Sequence, residues 1–425
     1  NASAISNARR SLRCRNASRD SNARPLPTAE GRVVNVAFVV QRYGDDVAGG
    51  AEALCRQTAR ALAGAGHDVT ILTTTARDYL HWTPHYQRGT DTDGAVTIRR
   101  FDAEPADPVA AGRLGREVAL GWGGWDRQVA WATAQGPVSR PLLDELAATS
   151  NAYDAVALWT YLYATTQLAM PLVADRAILV PTAHDEPMLR FRITRGVIAL
   201  ASGFAYLTPE ERRLVHELHQ LPQRPEEVVG AGLAQAEDGD GDRARRQFDL
   251  DGRCALYLGR VDPGKGIDAL FAAHAAYRAA GGDLQLVVAG RRPDGVHVPD
   301  WVRTLGFVDD AAKADLLAAC EVLVLPSVNE SLSLVLMEAW QAGRPTLATA
   351  RSAVLTAQTI RSGGGLVYVD KADYAVQLGR LADQVALRER LATAGRQWAV
   401  GETWDKVVAR WESLIERVRA SRSSR

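Results

Sequence analysis

The sequence is poor in the residues that mark several common classes of protein. It has four cysteines in 425 residues and no Cys-x-x-Cys pair, which excludes a zinc knuckle and a disulfide scaffold. Its 50 lysines and arginines are balanced by 50 aspartates and glutamates, so the basic excess of a nucleic-acid binder is missing. No apolar run reaches the ~18 residues of a membrane-spanning helix. We therefore expect an enzyme of two domains in a reducing cytoplasm, without nucleic acid as a partner.

Residues 1–31 lack the composition of a folded domain. The segment is rich in serine, asparagine and arginine, has few large aliphatic residues, and contains no apolar core like that of a secretory signal. We expect a disordered leader, with an amphipathic targeting segment as the alternative. The residues after 418 are expected to fray.

The rest of the chain repeats one pattern twice. An apolar, β-branched run at residues 33–40 precedes a stretch with helical spacing at 51–65. A charged, glycine-rich break follows at residues 237–246, and residues 238–242 within it are interpreted as a solvated linker. A strand is then predicted at 255–258 and a helix at 267–279. Two such halves predict two doubly wound α/β domains with a cleft between them, where ligands bind at the carboxyl ends of the strands.

A basic turn lies between the predicted strand and helix of the second half. Residues 259–266 read Gly-Arg-Val-Asp-Pro-Gly-Lys-Gly and carry Arg260 and Lys265. Backbone N–H groups and the helix dipole favour an anion at such a turn, and both side chains suit phosphate oxygens. We interpret it as a phosphate site, and an ordinary turn with surface cations is the alternative. It is not a P-loop, because GxxxxGK[ST] is absent.

A pair of carboxylates forms the second motif, at residues 326–338. A helix is expected to begin near Ser333, which places Glu330 at its N-terminal mouth. Glu338 then lies about two turns along, close to the same face. Such a pair can hydrogen-bond the hydroxyls of a polyol. The alternative is a capping residue and a surface acid.

Together, the basic turn and the two glutamates resemble the retaining glycosyltransferases of family 4, the glycosyl transferases group 1, over residues 33–418. Four stretches, at 161–166, 184–187, 330–334 and 361–366, resemble a branch of that family linked to cell-surface polysaccharide synthesis. The family's usual Glu-Gly-Phe-Gly-Leu reads Glu-Ser-Leu-Ser-Leu here, which we expect to narrow the sugar pocket.

The resemblance implies a GT-B fold, in which two Rossmann-like domains face each other across a cleft and a C-terminal helix crosses back to the N-terminal domain. The expected limits are 1–31 for the leader, 32–228 for the N-terminal acceptor domain, 229–400 for the C-terminal nucleotide-sugar donor domain, and 401–425 for the crossing helix with a frayed tail.

The resemblance also implies a role for each candidate side chain. Arg260 and Lys265 would hold the donor diphosphate and neutralise the charge on the leaving nucleotide, so neither a metal nor a cofactor is expected. Glu330 would hold hydroxyls of the donor sugar, Glu338 would hold the ribose, and His184 would lie near the donor sugar. Arg260, Lys265, Glu330 and His184 are the predicted catalytic residues.

Six further residues are expected to bind the donor through main-chain groups or pocket walls: Gly49 and Gly50 at the diphosphate, Ser333 and Leu334 at a phosphate, and Gly306 and Val308 around the base. Four tryptophans are candidates for an acceptor surface or a membrane contact, with core packing as the alternative: Trp122, Trp125, Trp131 and Trp159.

The predicted reaction is hexose transfer from a nucleotide-diphosphate sugar, most simply a UDP- or GDP-sugar, to a hydroxyl of a glycan or lipid-linked acceptor. A peripheral contact with the inner face of a membrane and the oligomeric state are left open. Two alternatives remain, a GT-B nucleotide-sugar epimerase and a catalytically silent nucleotide-sugar-binding partner protein. A phosphorylase is disfavoured because the chain has only four lysines, Lys265, Lys313, Lys371 and Lys406.

Overall fold

A computed structural model describes residues 32–47, 49–234 and 238–423. The predictions for residues 1–31 therefore lie outside the described residues. The strands of the first half are β1 Asn35–Val39, β2 Asp68–Thr74, β3 Gly89–Asp93, β4 Val96–Phe101, β5 Ala155–Trp159, β6 Ala177–Val180, β7 Gly203–Tyr206 and β8 Glu226–Val228. Its helices are α1 Gly50–Gly64, α2 Pro108–Ala119, α3 Trp125–Gln135, α4 Arg140–Thr149, α5 Ala164–Ala169, α6 Arg192–Leu200 and α7 Pro209–Leu218.

The second half has the strands β9 Cys254–Leu258, β10 Gln285–Ala289, β11 Arg303–Gly306, β12 Val322–Leu325, β13 Thr346–Thr349 and β14 Gly365–Tyr368. Its helices are α8 Gly241–Phe248, α9 Ile267–Ala279, α10 Asp310–Ala319, α11 Leu334–Gln341, α12 Ala353–Ser362, α13 Lys371–Asp383, α14 Val385–Val400 and α15 Trp404–Ser423.

Each half builds one sheet. The first sheet has the order β3-β4-β2-β1-β5-β6-β7-β8, and its strands are parallel except for β3, which pairs antiparallel with β4 at the edge. The second sheet has the order β11-β10-β9-β12-β13-β14, and its paired strands are all parallel. The central strands β5, β6 and β12 are fully buried, as expected of apolar strands covered by helices on both faces. This is the predicted pair of doubly wound domains.

The last helix, α15, returns to the first sheet. Its Trp411 is fully buried, and its ring centroid lies 5.4 Å from that of Phe38 in β1. Arg419 pairs with Asp154 at 3.0 Å, and Glu412 lies 2.9 Å from the ring of His67. The predicted crossing of the C-terminal helix is therefore confirmed. The helix also continues to Ser423, past the point where fraying is expected, because these polar ties hold its last turns.

The interpretation of residues 238–242 as a solvated linker is wrong at residues 241 and 242, where α8 begins. Asp240 caps the helix by accepting a hydrogen bond from the Arg243 N–H at 3.0 Å. The Arg243 side chain donates to Asp315 of α10 at 2.6 Å, and Ala244 is buried. The charges that suggested a solvated stretch are those of the cap and of this ion pair.

The first and second domains also touch near the N-terminus of α7. Thr208 donates its hydroxyl hydrogen to the carbonyl oxygen of Ser331 at 2.9 Å. Arg361 of α12 donates to both carboxylate oxygens of Glu210, at 2.7 and 3.0 Å. None of the helices in the described ranges is long and apolar enough to span a membrane.

Candidate active site

The basic turn and the glutamate loop are in contact at the carboxyl end of the second sheet. Gly266 ends the turn with a φ of 76°, and a Cβ on it would lie 2.6 Å from the carbonyl oxygen of Pro326. Only glycine permits both the left-handed conformation and this close approach. Gly266 therefore brings the loop after β9 against the loop after β12.

Lys265 and Glu330 form an ion pair across this contact, with Nζ 2.9 Å from Oε1. The two side chains are 30% and 14% exposed, so the pair is half-buried at the cleft. An ammonium group has three N–H donors, and one bond to Glu330 leaves two for an anion. The structure thus brings together the residues predicted to bind the diphosphate and the donor sugar.

Arg260 reaches toward the first domain. Its guanidinium carbon lies 5.4 Å from the ring centroid of Tyr79, which follows β2, and its Nε lies 3.4 Å from Asp262. The Tyr257 hydroxyl donates to the carbonyl oxygen of Arg260 at 2.7 Å and fixes the backbone of the turn. The Arg42 guanidinium lies 5.6 Å from the centroid of the same Tyr79 ring. One arginine from each domain therefore contacts Tyr79.

Gly49 and Gly50 begin α1 above a buried polar cluster that we name the Glu52 cluster, formed by Gln41, Arg42 and Glu52. Glu52 Oε1 accepts hydrogen bonds from Gln41 Nε2 at 2.8 Å and from Arg42 Nε at 3.0 Å. A Cβ on Gly49 would lie 2.0 Å from the second carboxylate oxygen. The sequence analysis did not identify this cluster. The signal for it is an acid in the first turn of a helix that begins at two glycines, with Gln-Arg shortly after the preceding strand.

His184 follows β6, with its Nδ1 3.5 Å from Glu186 Oε1. The loop that carries it is tied down by Glu211, a fully buried residue of α7 that the sequence analysis missed. Glu211 accepts the N–H of Ala183 and the N–H of Leu207, each at 2.6 Å. Burial raises the pKa of Glu211 to about 7, although these N–H donors oppose the shift.

Glu338 also has a lysine partner, and the sequence analysis missed it. Lys313 of α10 donates to Glu338 at 2.8 Å and lies 3.0 Å from Asp310. Burial alone would lower the pKa of Lys313, but the adjacent Glu338 carboxylate outweighs it and raises that pKa. The lysine therefore stays charged beside the carboxylate predicted to bind ribose.

A pocket of about 420 Å³ opens at the ends of β9, β10 and β11. Gly306 lines it, as predicted for the base pocket, whereas Val308 packs against the hydrophobic core. The neighbouring Phe307 lines the pocket instead, with the Arg291 guanidinium 5.1 Å from its ring centroid. The flat ring and the arginine provide a surface on which a base can stack.

The backbone N–H groups of Ser333 and Leu334, at the start of α11, were both predicted to face a phosphate, but their surroundings differ. The Ser333 N–H donates to Oε1 of Gln358 at 3.0 Å, which differs from the expectation that it faces phosphate. Leu334 is the first residue of the helix, and the first amides of a helix have no intrahelical partner. Gln358 lies 25 residues further along, so the sequence alone gave no sign of this bond.

The tryptophans divide into two groups. Trp131 and Trp159 are buried in the core, whereas Trp122 and Trp125 are 62% and 51% exposed where α2 meets α3. The described residues contain no group of three or more His, Cys, Asp or Glu side chains that could hold a metal ion.

Solved structures share this architecture. Sucrose-phosphate synthase from Thermosynechococcus elongatus aligns with a TM-score of 0.68 at 18% identity, over 91% of this chain and 100% of that chain. HepE from Anabaena, in complex with UDP and glucose, aligns with a TM-score of 0.62 at 15% identity, over 92% and 100%. The fold is the GT-B fold.

The family model described as Glycosyl transferases group 1 matches residues 252–384, which contain the basic turn and both glutamates. The D-inositol 3-phosphate glycosyltransferase of Thermomonospora curvata is 33% identical over 55% of this chain and 61% of its own length. The phosphatidyl-myo-inositol mannosyltransferase of Mycobacterium leprae is 33% identical over 40% and 48%. The predicted resemblance to the group 1 glycosyltransferases is confirmed, although these alignments span only about half to three fifths of the relatives.

Proposed function

We propose that the protein is a glycosyltransferase that moves a hexose from a nucleotide-diphosphate sugar to an acceptor hydroxyl, with retention at the anomeric carbon. The observation that supports the proposal most directly is the ion pair between Lys265 and Glu330, in the same basic turn that carries Arg260. One turn thus carries two cations suited to a diphosphate, and one of them contacts a carboxylate suited to sugar hydroxyls.

In this proposal the basic turn stabilises the leaving group. Negative charge grows on the phosphate oxygens as the bond to the sugar breaks, and Arg260 and Lys265 are in place to neutralise it without a metal ion. The acceptor attacks from the face that the phosphate leaves, and that phosphate takes the acceptor's proton. Closure of the cleft excludes water, which would otherwise hydrolyse the donor.

The rest of the donor fits the second domain. We assign the ribose to Glu338, held by Lys313, and the base to the pocket beside Phe307. UDP- and GDP-sugars are the first candidates, and the HepE structure with UDP supports the uridine donor.

The acceptor belongs to the first domain in this proposal. A groove of about 370 Å³ runs between α2 and α3, beginning at Tyr79 and passing Pro187, Met188 and Trp131. Its walls are mostly apolar, and Arg116 supplies a positive charge. We therefore favour an acceptor with an apolar part, such as a lipid-linked glycan. The exposed Trp122 and Trp125, where α2 meets α3, are further candidates for contact with that apolar part. The names of the relatives add inositol phosphates to the acceptors to be tested. A cytoplasmic location stays a prediction.

A panel of UDP-, GDP-, dTDP- and ADP-sugars tests the proposal. Protection against thermal unfolding and slow release of free nucleotide are measured for wild type, for Arg260→Ala with Lys265→Ala, and for Glu330→Gln. The matched control is Arg246→Ala with Lys371→Ala, which removes the same charge from exposed positions of the second domain.

We expect one donor to protect the wild type and the control. The double variant at the basic turn loses the protection, whereas Glu330→Gln binds the donor but releases no nucleotide. Appearance of a new sugar nucleotide without any acceptor would favour the epimerase. Binding without turnover in the presence of acceptors would favour the silent partner protein, and absence of binding by folded wild type would contradict the donor site.

A further inference from the structure

The two edges of the His184 ring have different surroundings. Its Nδ1 is buried and has no hydrogen bond of normal length, although the side chain as a whole is 30% exposed. The exposed part is therefore the opposite edge, which carries Nε2. Nδ1 faces the Glu186 carboxylate, with Oε1 at 3.5 Å.

The Glu186 carboxylate is itself held in place. The buried Tyr161, at the end of the neighbouring strand β5, donates its hydroxyl hydrogen to Oε1 at 2.5 Å. Burial raises the pKa of Tyr161, so this hydroxyl keeps its proton and acts as a donor. The Glu186 N–H donates to the carbonyl oxygen of His184 at 2.9 Å. The carboxylate and the imidazole thus belong to one tight turn anchored to β5.

Glu186 is ionised in this setting. Burial alone would raise its pKa, but the adjacent imidazole of His184 and the Tyr161 hydroxyl outweigh it and lower that pKa. A carboxylate beside one ring nitrogen favours a proton on that nitrogen. The neutral imidazole then presents the lone pair of Nε2 at its exposed edge.

We propose that Glu186, held by Tyr161, is a positioning residue that fixes the ring of His184 and keeps its proton on Nδ1, so that Nε2 accepts a hydrogen bond from a hydroxyl of the donor sugar. The role of the sugar hydroxyl rests on the proposed function. The ring orientation and the tautomer do not, because they follow from contacts within the first domain.

Other charged groups also face this turn. Asp185 is paired with Arg190 at 2.6 Å, and the Arg190 charge also acts on Tyr161. Glu211 lies beneath and accepts the Ala183 N–H. All three groups remain in the variants proposed below, so a changed tautomer population of His184 reports the loss of the Glu186 charge.

The tautomer is tested first, without any substrate. In ¹⁵N-labelled protein, the His184 signals among the eight histidines are assigned by comparison with His184→Asn. We expect the Nδ1–H tautomer in wild type and a population shifted toward Nε2–H in Glu186→Gln. That variant keeps an oxygen for the Tyr161 hydroxyl but lacks the charge. An Nε2–H tautomer in wild type would overturn the inference whether or not the protein is a transferase.

The second test measures the rate of nucleotide release as a function of the concentration of the donor found in the panel. For Glu186→Gln we expect kcat to fall by about 10-fold or more while KM changes by less than about threefold. Glu186→Asp should restore part of kcat, and Glu217→Gln, at an exposed glutamate of α7, is the matched control.

The His184→Ala background separates positioning from a structural role. If Glu186 acts through His184, Glu186→Gln should cost nothing further in that background. An equal loss of kcat in both backgrounds, or a tautomer population that Glu186→Gln leaves unchanged, would show that Glu186 only supports the loop. Failure of wild type to bind any nucleotide sugar would contradict the proposed function, and the tautomer measurement would still decide the positioning role.

Discussion

The two sides of the cleft use charged residues differently. On the second domain, the pairs Lys265–Glu330 and Lys313–Glu338 are half-buried, so each side chain can reach a ligand. On the first domain, the Glu52 cluster is almost fully buried, and the Glu211 carboxylate accepts hydrogen bonds from the main-chain N–H groups of Ala183 and Leu207. Charges on one side are therefore accessible to a ligand, whereas charges on the other side are enclosed and hold the surrounding backbone and side chains in place.

The largest effect is expected from breaking the Glu52 cluster. Glu52→Ala leaves the Arg42 guanidinium buried without its carboxylate, and loss of one partner of a buried ion pair costs about 3–5 kcal/mol. Urea unfolding should show this decrease in the free energy of unfolding, with Glu389→Ala, at an exposed glutamate of α14, as control. A decrease below about 1 kcal/mol would mean that the cluster does not stabilise the first domain.

The contributions of two buried groups to stability, His274 in the second domain and Glu211 in the first, should depend on pH with opposite sign. Burial lowers the pKa of His274 in the second domain to about 4, against an ordinary value of 6.5. Its contribution is present above pH 6.5 and is lost as the pH falls toward 4, by about 2–3 kcal/mol. Urea unfolding of wild type and His274→Leu across that range should show a flatter acid dependence in the variant. Parallel pH curves would contradict the prediction.

Glu211 in the first domain should act in the opposite direction. Because burial raises its pKa to about 7 from 4.5, its contribution is complete below pH 4.5 and is lost as the pH rises through 7. Glu211→Gln has no charge to titrate, so its stability relative to wild type should improve by about 1–3 kcal/mol between pH 4.5 and 8. Urea unfolding at both pH values gives this difference, and a constant difference would show that the carboxylate titrates normally.

Two glycines of the second domain allow the effect of the close backbone contact at the basic turn to be separated from the effect of backbone conformation alone. Gly266 and Gly281 both have positive φ, but only Gly266 lies against another backbone atom. Gly281→Ala should therefore cost about 1 kcal/mol of stability from the conformation alone. Gly266→Ala should cost more and should also weaken nucleotide-sugar binding in the thermal panel. Equal effects would mean that the contact with Pro326 does not hold the turn.

The smallest effect on stability is expected for the half-buried pairs. Lys313→Met should change the free energy of unfolding by about 1 kcal/mol or less, since partly exposed ion pairs contribute little. It should nevertheless weaken binding of nucleoside diphosphates, because Glu338 loses the partner that orients it. Calorimetric titration of wild type, Lys313→Met and the control Lys406→Met measures this, and unchanged affinity would remove Lys313 from the donor site.

The contrast between the two domains also explains which residues of the candidate site could be identified from the sequence. Arg260, Lys265, Glu330 and Glu338 lie in short motifs with fixed spacing, so their types and order identify them before folding. Glu211 could not be found in this way, because it accepts one of its bonds from a residue 28 positions away.

The strands and helices, too, could be predicted only in part from the sequence. The apolar central strands were predictable from their composition, whereas the edge strand β3 reads Gly-Thr-Asp-Thr-Asp, and β13 and β14 are only four residues long. The exposed edge strand β3 has no alternation of apolar and polar residues that would identify it. The strands β13 and β14 contain too few residues to show a periodic pattern. Helix α8 was missed because its single buried residue, Ala244, is surrounded by charge.

The return of α15 gives the chain a spatial organisation that differs from its linear one. Trp411 packs beside Phe38 and Trp159, so the hydrophobic core of the first domain is completed by a helix that follows the whole second domain in the sequence. During synthesis, that core stays open until α15 has been made. A fragment that stops at residue 234 therefore lacks part of the hydrophobic core of the first domain. To study that domain alone, α15 has to be added as a separate peptide or joined to the fragment by a new linker.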